Sequence, residues 1–233
     1  MHTIAIPDSV VQRVIAKRGT AHPYADLDPA RTALIVIDMQ NGYLREDVAH
    51  AFVPGGTDIV PNINRLAAAL RRRGGSVWWV QNASDEASRA AWSVLEDSVS
   101  PAQRAARIRS MTPGSVGHAL WEGLDIHPED PVVAKYRYSA FIQGASELEA
   151  QLRARGIDTL LITGTLTNVC CESSARDAMM LNFRVVMVSD GNAAVTDAEH
   201  NASLINLYLT FADVMTTAEL EACLDRAAPR AAA

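Results

Sequence analysis

The sequence predicts an α/β fold in which a central, mainly parallel sheet of six strands carries helices on both faces. Short continuous apolar runs such as Ala33-Leu34-Ile35-Val36-Ile37 have the composition of strands buried on both sides. These runs alternate with segments of helical spacing, and glycines such as Gly74-Gly75 and Gly156 stop helices just before the next strand. With 233 residues, 48% of them hydrophobic, the chain is long enough to bury one substantial core.

Taken in order, residues 1–30 read as an N-terminal arm punctuated by Pro7, Pro23 and Pro29, with a short helix around 9–17. The arm is expected to lie on the surface or on a neighbouring subunit. The first strand, 32–38, ends in Asp38, which is either a cap or turn former or a site residue beyond the carboxyl end of a strand. A helix over 59–73 follows, with Arg71-Arg72-Arg73 as its solvated end, and Gly74-Gly75 closes it. Residues 76–81 form the second strand, where Trp78 and Trp79 are packing residues, and polar Asn82, Asp85 and Glu86 come just beyond.

From 83 to about 131 the periodicity weakens, leaving one helical piece over 102–109 and a break at Met111-Thr112-Pro113-Gly114-Ser115. A connection of this length is expected to cover a site as a lid. Arg104, Arg107 and Arg109 either meet an anionic substrate there or form a solvated helix face. The third strand, 131–135, ends in Lys135 and is followed by Tyr136-Arg137-Tyr138-Ser139. Then come a helix over 146–155, a strand over 158–163, a helix beginning near Cys170, a strand over 184–189 ending at Asp190, a helix over 198–210, a strand over 213–216 and a last helix over 217–224. The main domain is thus expected over 31–225, with a frayed tail over 226–233.

Composition excludes several classes of function. No run approaches the ~18 apolar residues of a membrane span, and no basic start with an apolar stretch marks a leader, so a cytoplasmic location and no membrane partner are expected. A net charge of −6 argues against nucleic acid as a partner. The three cysteines, two of them adjacent at Cys170 and Cys171, make a poor disulfide framework and suit a reducing compartment.

Cys170 falls where a strand gives way to a helix, in Gly164-Thr165-Leu166-Thr167-Asn168-Val169-Cys170-Cys171. The unpaired N–H groups and dipole of a helix start favour a thiolate there and offer donors to an oxyanion. Cys171 is turned about a third of a turn away and is expected to face the core. In a parallel sheet the strand ends bearing Asp38, Lys135 and Cys170 project toward one edge. A carboxylate can take the thiol proton, and an ammonium can hold the thiolate and steady the carboxylate.

Three segments, Ala33 to Asn41, the Lys135 region and Thr167-Asn168-Val169-Cys170, resemble the isochorismatase-like cysteine hydrolases over roughly residues 31–220. The resemblance implies a Rossmann-like three-layer α/β/α sandwich with an Asp38/Lys135/Cys170 triad that hydrolyses a C–N bond through an acyl-enzyme. It also implies a non-proline cis peptide between Thr165 and Leu166, with the Leu166 and Cys170 N–H groups as the oxyanion hole, and it suggests homo-oligomers. True isochorismatases lack the nucleophilic cysteine, so their vinyl-ether cleavage is not expected here. Nicotinamidases hold a metal through histidines after the second strand; here that stretch reads Asn82-Ala83-Ser84-Asp85-Glu86, so no metal and no other cofactor is expected.

The subgroup most similar in look is the ureidoacrylate amidohydrolases, by Met39-Gln40-Asn41 with Tyr43, Gln81-Asn82, Lys135 with Arg137-Tyr138-Ser139, and Thr167-Asn168-Val169-Cys170. That likeness implies Asn41, Tyr43, Asn82 and Tyr138 as lining for a small-molecule substrate. The lid, Tyr136 in place of a typical proline and Cys171 in place of valine depart from it. A lactam-opening hydrolase of the streptothricin hydrolase type is the alternative within the superfamily. An idle binding scaffold with a redox-sensitive thiol is the alternative outside enzymes, and the complete triad argues against it.

Overall fold

The computed structural model describes residues 1–227. Six strands form one sheet: β1 (Thr32–Ile37), β2 (Ser76–Asn82), β3 (Val132–Lys135), β4 (Thr159–Thr165), β5 (Arg184–Ala193) and β6 (Asp213–Met215). Their spatial order is β3-β2-β1-β4-β5-β6, and every neighbouring pair is parallel. The order reverses between β1 and β4, and this is where an open α/β sheet forms a crevice at its carboxyl edge. Asp38 leaves β1 at that crevice, and the Cys170 segment leaves β4 beside it.

Alternation along each strand divides the core into two layers. Ala33, Ile35, Ile37, Trp78, Val80, Leu160 and Ile162 face one side, while Leu34, Val36, Val77, Trp79 and Leu161 face the other. Against the first side lie α1 (Asp8–Arg18), α7 (Leu148–Ala154), α8 (Glu172–Met180) and α9 (Asp197–Thr210). Against the second lie α2 (Asn41–Leu44), α3 (Val60–Arg72) and α10 (Thr217–Arg226). Trp78 and Trp79 are both fully buried, one in each layer, as packing residues.

The structure corrects several expectations. The arm lies on the surface as one alternative expects, but it is also packed, with Val10 and Val14, one helical turn apart on α1, buried in the first core layer against α9. Arg71 is not a solvated helix end: it pairs with Asp125 and Asp130, and Trp79 Nε1 donates to the same Asp130 carboxylate at 3.0 Å. That network anchors the chain entering β3. The stretch from 83 to 131 holds three helices, α4 (Glu86–Ala90), α5 (Ser93–Asp97) and α6 (Pro101–Met111), rather than one. β5 continues through Asp190 to Ala193, because a register shift opposite Ile162 and Gly164 is bridged by Asn192, whose Nδ2 donates to Ile162 O and Val188 O. The last helix runs through Arg226, and the remainder of the expected tail, 228–233, lies outside the described residues.

Candidate active site

Two backbone features bring the strand ends together. Gly164 has φ +119°, and a Cβ there would lie 2.0 Å from the Ile37 carbonyl oxygen, so only glycine lets β4 approach β1 this closely. Asp38 itself has φ 54°, a left-handed conformation that aspartate tolerates better than most residues. Its carbonyl accepts from Thr165 Oγ1 at 2.9 Å and from Gln40 N–H at 2.8 Å, which ties the two loops into one unit. The Thr165–Leu166 peptide bond is cis, as the resemblance implies.

Beyond it, Thr167–Cys171 forms a single π-helical turn that leads into α8. Such one-turn π segments are frequent at functional sites. Cys170 sits inside this turn, not at the free start of an α-helix, and is 2% exposed. Cys171 faces the core, fully buried, as expected.

At the crevice Lys135 Nζ lies 2.8 Å from Asp38 Oδ2 and 3.5 Å from Cys170 Sγ, and it also donates to Arg137 O at 3.1 Å. Lys135 and Asp38 are wholly buried. Lys135, the Cys170 thiol and the Asn82 N–H all face the Asp38 carboxylate, so the thiol proton has an acceptor beside it.

Burial raises the pKa of Asp38, with the Lys135 charge pulling the other way. Burial works against the charge of Lys135, yet Asp38 and Cys170 more than offset it, so its pKa is raised. Burial also pushes the Cys170 thiol well above the ordinary range, against the pull of Lys135. Burial thus acts against the thiolate that a helix start would favour, and the Lys135 ammonium beside the sulfur acts for it.

Cys170 forms part of the wall of a cavity of about 270 Å³. Tyr43, Asn82, Tyr138 and Leu166 line it too. Asn82 Nδ2 donates to the Tyr43 hydroxyl at 2.6 Å, and Gln40 fixes Asn82 by accepting its N–H at 2.8 Å and donating to its carbonyl at 3.1 Å. Tyr138 is 40% exposed and meets Trp92 edge to face with ring centroids 4.9 Å apart. Asn41 does not line the cavity: it begins α2, and its Nδ2 donates to Val116 O at 3.0 Å, which turns it to the loop that covers the sheet edge.

The covering segment supplies further lining residues, and of these sequence reasoning singled out Arg107 but not the others. Glu96, Trp92 and Arg89 come from the α4–α5 region, His50 from the loop after α2, and Arg107 and Gln103 from α6. Glu96 pairs with both Arg104 and Arg107. Arg107 is thus at the cavity wall, whereas Arg109 is exposed and lies away from it. Asp85, at the position where a metal-binding histidine cluster would be sought, caps α4 by accepting Ser88 N–H at 2.7 Å.

Comparison with known proteins places this chain among hydrolases. The Isochorismatase domain model matches residues 32–219. The ureidoacrylate amidohydrolase RutB of Methylobacterium radiotolerans is 35% identical over 212 residues, covering 85% of this chain and 81% of that protein. The crystal structure of a cysteine hydrolase from Pseudomonas syringae pv. phaseolicola superposes with TM-score 0.76 at 29% identity, covering 86% of this chain and 95% of the other. N-carbamoylsarcosine amidase from Thermoplasma acidophilum superposes with TM-score 0.64 at 26% identity, covering 80% of this chain and 96% of the other.

Proposed function

The chain belongs to the isochorismatase family, and from that premise we propose that it is a metal-independent cysteine amidohydrolase acting on a small ureido, carbamoyl or amide substrate. The observation that carries this reading is the buried triangle of Lys135, Asp38 and Cys170 at the cavity wall, with Nζ 2.8 Å from the carboxylate and 3.5 Å from the sulfur.

The chemistry follows from which group is charged at rest. Asp38 takes the Cys170 proton as the sulfur attacks the carbonyl carbon, and Lys135 offsets the negative charge passing between them. The N–H groups of Leu166 and Cys170 receive the oxyanion. Collapse breaks the C–N bond, the leaving nitrogen takes the proton from Asp38, and a thioester remains on Cys170. Water then attacks the thioester, its proton passes through Asp38 back to the departing sulfur, and the acid is released. The metal-independent reading rests on the segment after β2, Asn82-Ala83-Ser84-Asp85-Glu86, which holds no histidine.

Cavity polarity narrows the substrate. Arg89 and Arg107 are the cationic lining residues and Glu96 is the acidic one. Burial lowers the pKa of His50 to about 4, so its ring adds no charge at neutral pH. Two guanidinium groups against one carboxylate leave a net positive wall, which suits a substrate that carries a carboxylate beside its carbamoyl group. Trp92, Tyr136 and Tyr138 offer flat apolar surface to the rest of the molecule.

The test is ammonia release from a panel of ureidoacrylate, N-carbamoyl amino acids, biuret, nicotinamide and simple amides, with wild type beside Cys170→Ala. Turnover that depends on Cys170 and favours the carboxylate-bearing ureido compounds is the expected result. Turnover undiminished in Cys170→Ala would sink the mechanism, and a preference for nicotinamide over the carboxylate-bearing ureido compounds would sink the expected charge preference.

A further inference from the structure

The π-helical turn that carries Cys170 is gripped from behind by α9. Thr167, its first residue, is fully buried between Leu166 and the nucleophile, and its hydroxyl lies 2.9 Å from His200 Nδ1. One turn further along α9, Ser203 Oγ donates to the Thr167 carbonyl at 3.2 Å. The helix therefore holds both the side chain and the main chain of the same residue.

His200 is wholly buried, and its Nε2 has no aligned hydrogen-bond partner among the described residues. An imidazole in that state costs stability and invites a functional explanation. His2 stacks on it with ring centroids 4.5 Å apart and planes 18° from parallel. His2 is itself fixed at both nitrogens, with Nδ1 2.7 Å from Asp197 Oδ1 and Nε2 accepting Ala194 N–H at 3.0 Å. A layer of His2, His200 and Thr167 thus runs from the surface to the turn that presents the reacting thiol.

We propose that His200 is a positioning residue: through Thr167 it fixes the turn that aims Cys170 at Asp38 and Lys135, and so sets the reactivity of the thiol. His200 is not among the residues that line the cavity. Its hydrogen-bonded route to the sulfur is the contact with Thr167 and the short turn that follows. Misplacement of a reacting group by about 1 Å can cost a hundredfold in rate, so one hydrogen bond at the start of this turn has leverage.

The test is the pH profile of iodoacetamide alkylation at Cys170, followed by tandem mass spectrometry that separates it from Cys171. It is run on wild type, His200→Leu, Thr167→Val, the double variant and His200→Asn, with a melting curve for each. A thiol released from the triad reverts toward the ordinary midpoint of ~8.5. His200→Leu and Thr167→Val are expected to move the midpoint toward that value by similar amounts, and the double variant to move it no further. His200→Asn, which keeps a polar group near the Nδ1 position, restores most of the wild-type profile. A midpoint that moves in His200→Leu while the melting temperature stays close to wild type separates positioning from general support. A folded His200→Leu protein with the wild-type midpoint overturns the proposal, as do shifts that add in the double variant. If His200→Leu does not fold, Thr167→Val, nearly isosteric, decides alone: an unchanged midpoint there rejects the proposal.

Discussion

Lys135 Nζ and Asp38 Oδ2 form a 2.8 Å ion pair in which both side chains are wholly buried, at the ends of two strands separated by β2 in the sheet. The pair has to persist because neither charge has water to fall back on. Lys135→Met leaves a buried carboxylate uncompensated and is expected to lower unfolding stability by about 3–5 kcal/mol, read from urea denaturation. Asp38→Asn removes the proton acceptor and is expected to lower turnover by about 10²–10⁴-fold in protein that still folds. Wild-type stability in Lys135→Met would show that the pair is not buried as described.

The approach of β4 to β1 sets a second expectation. In Gly164→Ala the new methyl meets the Ile37 carbonyl at 2.0 Å, and the φ of +119° is unsuited to any side chain. The substitution is expected to cost at least about 3 kcal/mol through overpacking and backbone conflict, seen as a lowered melting temperature or loss of soluble protein. A neutral outcome would mean that the strands are spaced more widely than the register Ile37↔Gly164 indicates.

Substrate charge is tested at the lid. Arg107→Ala removes one of the two guanidinium groups on the cavity wall. It is expected to raise KM for ureidoacrylate roughly tenfold or more, the worth of a charged hydrogen bond, while changing KM little for a neutral amide. Equal effects on charged and neutral substrates would show that Arg107 supports the lid through Glu96 and does not read the substrate.

Stability should fall on acidification through two histidines. Burial lowers His50 to about 4, with Arg107 adding to the effect, and burial lowers His200 to about 4, with His2 adding. The unfolded chain binds protons at these sites near pH ~6.5, so between the two values it holds more protons than the folded protein. The stabilisation is therefore complete above pH ~6.5 and lost as pH falls toward 4. His50→Gln is expected to reduce the stability lost between pH 7 and 4.5 by about 1–2 kcal/mol in urea unfolding. An unchanged pH slope in that variant would refute the assignment.

Much of the fold, and the convergence of Asp38, Lys135 and Cys170, is legible because its marks in the sequence are local. Strands buried on both faces need unbroken apolar runs, and the carboxyl ends of such strands are where charged residues become informative. Asp38, Lys135 and Cys170 each stand at such an end. What sequence reasoning missed depends on partners far away in the chain. Asn41 belongs to a motif but spends its amide on Val116 O. Arg71 ends a helix, as a solvated residue would, until Asp125 and Asp130 return to meet it. The lid acid Glu96, which pairs with Arg104 and Arg107, carries no local mark at all. The burial of Cys170 escapes the sequence for the same reason: a helix start is visible there, whereas complete burial by distant elements is not. Val10 and Val14 were the available clue to the docking of α1, since apolar residues four apart on a short helix mark a buried face.

The central claim is that Cys170 becomes acylated during turnover. It is tested most directly by acid-quenching wild type during turnover of the substrate the ammonia-release panel favours and weighing the intact protein, then locating any added mass by peptide mapping. The account predicts an acyl adduct confined to the peptide holding Cys170, absent from Cys170→Ala, whose ammonia release is abolished, and still present in Cys171→Ala. Ammonia release by Cys170→Ala at a rate comparable to wild type, with no adduct on either protein, would contradict it.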